Sequence, residues 1–253
     1  MSLVTLQGHR IEVEEIPAAH PNAPSLIFLH EGLGSVALWR DFPAKLAAAT
    51  GAAAVVYSRY GYGKSASIAR PHATDYMHKE ALEALPELRE KLDIENPILI
   101  GHSDGASIAL IHAGAGRWPV RALILEAPHV FVEDVTVASI EAAKEIYRST
   151  DLRVRLGRYH ADPDSAFWGW NDIWLHPDFR GWNIEDVLPG VHSPVLAIQG
   201  ADDEYGTLAQ IDAIERGVRG PFERLVLANC KHSPHRDQEA ATLLAMAAFI
   251  ARV

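Results

Sequence analysis

Short apolar runs alternate along the chain with longer amphipathic stretches, a rhythm that predicts strands joined by crossover helices in a mostly parallel sheet. The first two runs, Leu3 to Leu6 and Ile11 to Ile16, depart from it. Only Gln7, Gly8, His9 and Arg10 separate them, which predicts an antiparallel hairpin. Buried-strand patterns follow at Leu26 to Leu29, Ala53 to Tyr57, Pro97 to Ile100, Ala122 to Leu125, Pro194 to Ile198 and Arg224 to Leu227. Between them, helical spacing appears around Phe42 to Ala49, from Tyr76 to Leu92, from Gly101 through Ala115, from Thr207 to Gly217 and from Glu239 to Ala251.

The rhythm lapses between Pro128 and about Pro189, where helical stretches such as Ser139 to Arg148 occur among many aromatics. Four of the six tryptophans, Trp168, Trp170, Trp174 and Trp182, crowd into this segment, which marks it as a unit of its own. The expected organisation is an α/β core over 1–127, a helical aromatic-rich cap over 128–189 inserted after the sixth strand, and the rest of the core over 190–253. Long insertions in compact domains usually carry function, and ligands of open α/β sheets bind at the carboxyl ends of the strands that such a cap would cover. The plainer alternative is a tryptophan-rich packing layer.

Composition narrows the functions available. The 33 acidic against 23 basic residues leave a formal charge of -10 with no basic run, which argues against a nucleic-acid partner. A single cysteine, Cys230, cannot form an internal disulfide or a cysteine zinc cluster, as expected of a reducing, cytoplasmic setting. Met1 to Glu15 lacks the apolar stretch of a signal peptide, and no apolar run approaches the length of a membrane span. The 13 histidines include no His-Glu-x-x-His pair, so neither a metal nor another cofactor is expected. Gly63-Lys64-Ser65 ends like a phosphate-binding loop, but Ser58 stands where its first glycine must be.

The chemistry centres on Gly101-His102-Ser103-Asp104-Gly105, a Gly-x-Ser-x-Gly sequence between an apolar strand and a helix. A serine on such a turn needs small neighbours, presents its hydroxyl above the sheet edge, and is followed by a helix N-terminus whose N–H groups suit an oxyanion. Its hydroxyl needs a base, and the base an orienting acid. Asp202 and Asp203 follow one later strand; His232 and His235 follow the last. The chain order of serine, acid and histidine is that of α/β-hydrolase triads.

On these residues the chain resembles an α/β-hydrolase-fold serine hydrolase over essentially its whole length. The family's oxyanion loop is matched by His30-Glu31-Gly32-Leu33-Gly34-Ser35, its Gly-x-Gly-x-Ser loop by Gly61-Tyr62-Gly63-Lys64-Ser65, and its acid loop by Gly200-x-x-Asp203. The resemblance implies a triad of Ser103, Asp203 and His232, an oxyanion hole from the backbone N–H groups of Gly32 and Asp104, and loop-supporting roles for His30 and His102. Some family members carry the acid where Glu126 stands here; otherwise Glu126 is expected to anchor the lid or partner His129. Two residues depart from the commoner pattern. Glu31 replaces a glycine, and a carboxylate facing a developing oxyanion would be unfavourable, so it is expected to turn toward an Arg, a Lys or a cationic substrate. Within the family the chain resembles the group of valacyclovir hydrolase and the meta-cleavage product hydrolases, and the Ser103-Asp104 pair resembles the amino-acid ester hydrolase branch related to valacyclovir hydrolase, in which the acidic residue helps recognise a substrate ammonium. Otherwise Asp104 favours the first turn of its helix through the macrodipole.

The expected activity is hydrolysis of carboxylic esters or related acyl compounds of small-molecule substrates, with Glu31, Asp104, Trp168, Trp170 and Trp174 contacting the substrate. The alternatives are carbon-carbon bond hydrolysis of a ring-cleavage diketone and a non-catalytic small-molecule receptor on the same fold.

Overall fold

A computed structural model describes residues 1–68 and 72–253. The opening hairpin pairs β1 (Ser2–Leu6) with β2 (His9–Ile16), Leu6 standing opposite His9. Its turn is shorter than the expected four residues. Gln7 and Gly8, at φ 48° and 79°, both occupy the left-handed region that two-residue hairpins require, so His9 and Arg10 join the strand instead.

The remaining strands are β3 (Ser25–Leu29), β4 (Ala53–Tyr57), β5 (Ile98–His102), β6 (Ala122–Glu126), β7 (Val195–Gly200) and β8 (Phe222–Leu227). They form one sheet ordered β1-β2-β4-β3-β5-β6-β7-β8, parallel from β4 through β8. Successive side chains point to opposite faces, and both faces of β3 to β7 are covered, so those five strands are nearly uniform apolar runs, whereas the edge strand β8 is largely exposed. Phe28, Val56 and Ile100 face one way, toward α1 (Phe42–Thr50) and the later helix Glu239–Ile250; Ile27, Val55 and Leu99 face the other.

On that second face lie α2 (Tyr76–Lys79), α3 (Leu85–Lys91) and α4 (Asp104–Gly114). The single helix expected over Tyr76 to Leu92 is interrupted by a wider turn at Glu80–Ala84. Pro86 has no N–H to give to the carbonyl four residues before it, which loosens the ladder at that point. Between β6 and β7 come α5 (Asp134–Ser149), α6 (Leu152–Leu156) and α7 (Pro163–Trp174), so the inserted segment is helical as expected. The Asp162 carboxylate accepts from the Ser165 N–H at 2.9 Å, and Pro163 supplies a pre-set φ where no N–H is needed; together they start α7 sharply. The chain closes with α8 (Ala209–Gly217), α9 (Pro234–Asp237) and α10 (Glu239–Ile250). Among the described residues, no helix is long and apolar enough to cross a membrane.

The chain leaves β3 for β4 on one side and then crosses to β5 on the other. The adjacent carboxyl ends of β3 and β5 are therefore the switch point of the sheet, where open α/β folds bind ligands. The loop holding Glu31 and Gly32 follows β3, and Ser103 follows β5.

Candidate active site

Ser103 sits between β5 and α4 at φ 53° and ψ −116°, a conformation that costs a non-glycine residue strain. Its surroundings hold it there. The Ser103 N–H donates to the Glu126 carbonyl at 2.9 Å, and its own carbonyl accepts from Ala106 N–H at 2.9 Å. Gly105 lies against the backbone of Leu29 and His30, and Gly101 against that of Gly105 and Ala106, so a Cβ at either would collide with main chain. This is why the turn needs glycine on both sides of Ser103. Asp104 opens α4, where a backbone N–H has no acceptor within the helix.

Two loops meet the serine from other strands. Ser103 and His232 line one cavity of about 300 Å³ together with Gly32, Trp170 and Trp174. A Cβ on Gly32 would overlap the Trp170 ring, so the loop after β3 and the inserted helix approach closely only because that position is bare. Behind His232, its Nδ1 lies 2.9 Å from Asp203 Oδ1. The same carboxylate accepts from the N–H of Tyr205 at 2.8 Å and from Gln199 Nε2 at 3.3 Å. Burial opposes the charge of Asp203, but His232 and the Tyr205 N–H outweigh it and hold the carboxyl below its ordinary range. An ionised Asp203 fixes the His232 proton on Nδ1 and leaves Nε2 as an acceptor.

The rival residues resolve into their own arrangement. Asp202 is exposed, whereas the Asp203 side chain is 2% exposed. Glu126 does not partner His129. It accepts from the backbone N–H of His235 at 2.9 Å and lies 3.0 Å from His235 Nδ1, both side chains fully buried. The two positions weighed as alternative acid and alternative base thus occupy each other, with His235 packed on Trp39 at 4.6 Å.

The structure corrects two expected substrate contacts. The Asp104 carboxylate, 1% exposed, does not line the cavity. It accepts from Tyr76 Oη at 2.7 Å and Trp174 Nε1 at 3.2 Å, and lies 3.5 Å from Arg59 Nη2. Its negative charge is consumed internally, where it ties the core to α7. Trp168 is also absent from the cavity wall; it packs edge-on to Phe167 at 5.0 Å with Arg148 over its ring at 5.5 Å. Helical geometry explains the difference, since Trp170 and Trp174 are four residues apart on one face of α7 and Trp168 is not on that face.

Glu31 turns toward an arginine, as its position required. Its Oε1 lies 3.7 Å from Arg236 Nη2, and its Oε2 lies 3.5 Å from His102 Nδ1. His30 supports the loop: its Nε2 accepts from the Arg59 N–H at 3.0 Å, so its proton sits on Nδ1, which donates to the Glu31 carbonyl. Sequence reasoning overlooked His129 as a cavity residue. Buried beside His232, with ring centres 5.6 Å apart, it is pushed down to about 3, first by burial and then by His232, and so is neutral. Its only sequence signal was its place just past the end of β6. A separate cavity of about 400 Å³, walled by Tyr57, Tyr62, Tyr76 and His72, contains neither Ser103 nor His232. Among the described residues, no group of three or more His, Cys, Asp or Glu is placed to hold a metal ion.

Comparison with known proteins gives a consistent picture. A family model described as "Alpha/beta hydrolase family" matches residues 26–245. No curated protein matches the chain in sequence. Similar solved structures include an esterase from Exiguobacterium antarcticum, with a TM-score of 0.80, 19% identity and 99% of each chain covered. A proline iminopeptidase from Mycobacterium smegmatis is similar at a TM-score of 0.79 and 18% identity, covering 99% of this chain and 97% of that one. An enol-lactonase from Burkholderia xenovorans LB400 has a TM-score of 0.78 and 15% identity, covering 99% of this chain and all (100%) of that one.

Proposed function

The chain belongs to the alpha/beta hydrolase family, and from that premise we propose that it is a serine hydrolase cleaving carboxylic esters or closely related acyl compounds. The observation that carries this reading is the 2.9 Å contact between Asp203 and His232 Nδ1 in the loop that shares a cavity with Ser103. His232 Nε2 takes the proton of Ser103 as its oxygen attacks the substrate carbonyl, and Asp203 stabilises the resulting imidazolium. The N–H groups of Gly32 and Asp104 receive the oxyanion. His232 returns the proton to the leaving group; water, activated by the same imidazole, then frees the acyl group from Ser103. The inserted segment 128–189 acts as the cap, with Trp170 and Trp174 presenting an apolar wall to the substrate.

A fluorophosphonate probe provides the direct test. Ser103 is expected to be labelled, with the adduct located on its peptide by mass spectrometry; a protein left unlabelled would favour the receptor reading over the enzyme.

The carbon-carbon hydrolase reading asks for a free arginine to hold a dienoate carboxylate. Arg236 does line the cavity, but its Nη2 donates to the Leu38 carbonyl at 2.8 Å and faces Glu31, which disfavours an anion there. The buried Asp104 also changes what its substitution does. Asp104→Asn leaves Arg59 without its anionic partner and is expected to cost about 3 kcal/mol in urea unfolding. Neutral and amino-acid esters should lose kcat/KM by the same factor. A selective loss on amino-acid esters would instead place an ammonium group at that carboxylate.

A further inference from the structure

His102 is the residue before Ser103, and Glu31 the residue before Gly32. Their side chains meet beneath the site. His102 Nε2 lies 2.7 Å from the carbonyl oxygen of His232. A carbonyl only accepts, so Nε2 carries a proton. Nδ1, on the other side of the ring, lies 3.5 Å from Glu31 Oε2. An ionised carboxylate also only accepts, so attraction at this contact requires a second proton between Nδ1 and the carboxylate. No neutral imidazole satisfies both neighbours at once.

We propose that Glu31 and His102 form a proton-dependent tie, with His102 as an imidazolium, that positions the nucleophile, oxyanion and base loops relative to one another. The inference rests on the hydrolase reading above, and both are positioning residues rather than catalytic ones. One imidazole adjoins the nucleophile, holds the backbone of the base at 2.7 Å, and faces at 3.5 Å the carboxylate of the residue beside the proposed oxyanion donor. Arg236 and the folding of the Glu31 carboxylate over Gly34 keep that acid turned from the oxyanion position. This gives Glu31 a purpose at a position where the family pattern has glycine.

Other groups around the ring favour the same state. Burial works against a charge on His102, but Glu31 and then Glu126 more than offset it and raise its affinity for the proton above the ordinary value of 6.5. Glu31 is correspondingly held well below its ordinary 4.5, with burial opposing and His102 and Arg236 prevailing. The rings of His232, at 5.2 Å, and His235, at 5.1 Å, and that of Trp39, at 6.2 Å, complete the surroundings. Because the His102 value is raised, the tie is intact at pH 6.5 and is lost as pH climbs through the raised value. The pH profile of kcat should therefore fall on the alkaline side, as His102 gives up its proton.

Two measurements test the tie. In long-range ¹H–¹⁵N spectra of the wild-type protein at pH 6, below the ordinary histidine value, His102 should show two protonated ring nitrogens, and in Glu31→Gln only Nε2 should remain protonated. In the same variant kcat should fall between about ten- and a hundred-fold, as for a small displacement of reacting groups, KM for a small neutral ester should change little, and the alkaline limb should vanish. A neutral His102 in the wild type overturns the proposal, and so does a Glu31→Gln protein that keeps its kcat and its alkaline limb. A wild type that neither takes up the fluorophosphonate nor turns over acyl substrates would remove the hydrolase reading, while the ring resonances would still decide whether the tie exists.

Discussion

Ser103→Ala is expected to lower kcat for p-nitrophenyl acyl esters by about 10⁶-fold, the scale seen when the nucleophile of a serine triad is removed. The loss should not come from unfolding. Alanine and serine both carry a Cβ, so the strain at φ 53° is the same in the two proteins, and the main-chain bonds to the Glu126 carbonyl and from the Ala106 N–H do not involve the hydroxyl. Circular dichroism spectra and melting temperatures should therefore coincide while turnover disappears. Unchanged turnover would mean that the reacting nucleophile lies elsewhere and would sink the assignment.

Asp203→Asn is the second large effect, expected to lower kcat by about 10⁴-fold. An asparagine can keep the 2.9 Å contact but offers its amide N–H to His232 Nδ1, which reverses the imidazole tautomer. The proton then sits on Nε2, and that nitrogen no longer accepts from Ser103. Glu126→Gln is the control, because Glu126 is the other acid the family pattern allows. Its carboxylate faces His235 rather than His232, so the substitution should act on stability through a buried pair and leave far more of kcat. The reverse ranking, with Glu126→Gln the more damaging to kcat at equal stability, would move the triad acid to the end of β6.

Much of this site was legible in the sequence. Gly101 and Gly105 around Ser103 announced a turn too tight for side chains, and the contacts with Leu29, Ala106 and each other are the crowding that such spacing implies. The strands were readable for a related reason: buried on both faces, their runs at Leu26 to Leu29 and Ile98 to Ile100 contain no polar position to interrupt them. The break within Tyr76 to Leu92 was also present in the sequence, in Pro86, which has no N–H to give to the Leu82 carbonyl.

Side-chain partnership was not legible in the same way. Asp104 carried one negative charge in sequence, and nothing local said whether it would meet substrate or Arg59, Tyr76 and Trp174, which all lie 28 to 70 residues from it. Likewise Trp168, Trp170 and Trp174 are equivalent by composition, and only the phase of α7 against the sheet puts two of them on the cavity wall.

Local backbone constraint, expressed as glycine spacing, apolar periodicity and the order of serine, acid and histidine, was enough by itself to determine the sheet, the strained turn and the candidates for the triad. The packing of loops from β3, β5, β6, β7 and β8 decided the rest: that Asp203 meets His232, that Glu126 meets His235, and that His102 stands between Glu31 and the backbone of His232. The reason is physical. A turn or a strand is set by interactions among near neighbours in the chain, whereas the pairing of buried charges depends on distances of a few ångströms between residues up to about a hundred positions apart, and a difference of one rotamer separates a partner from a bystander.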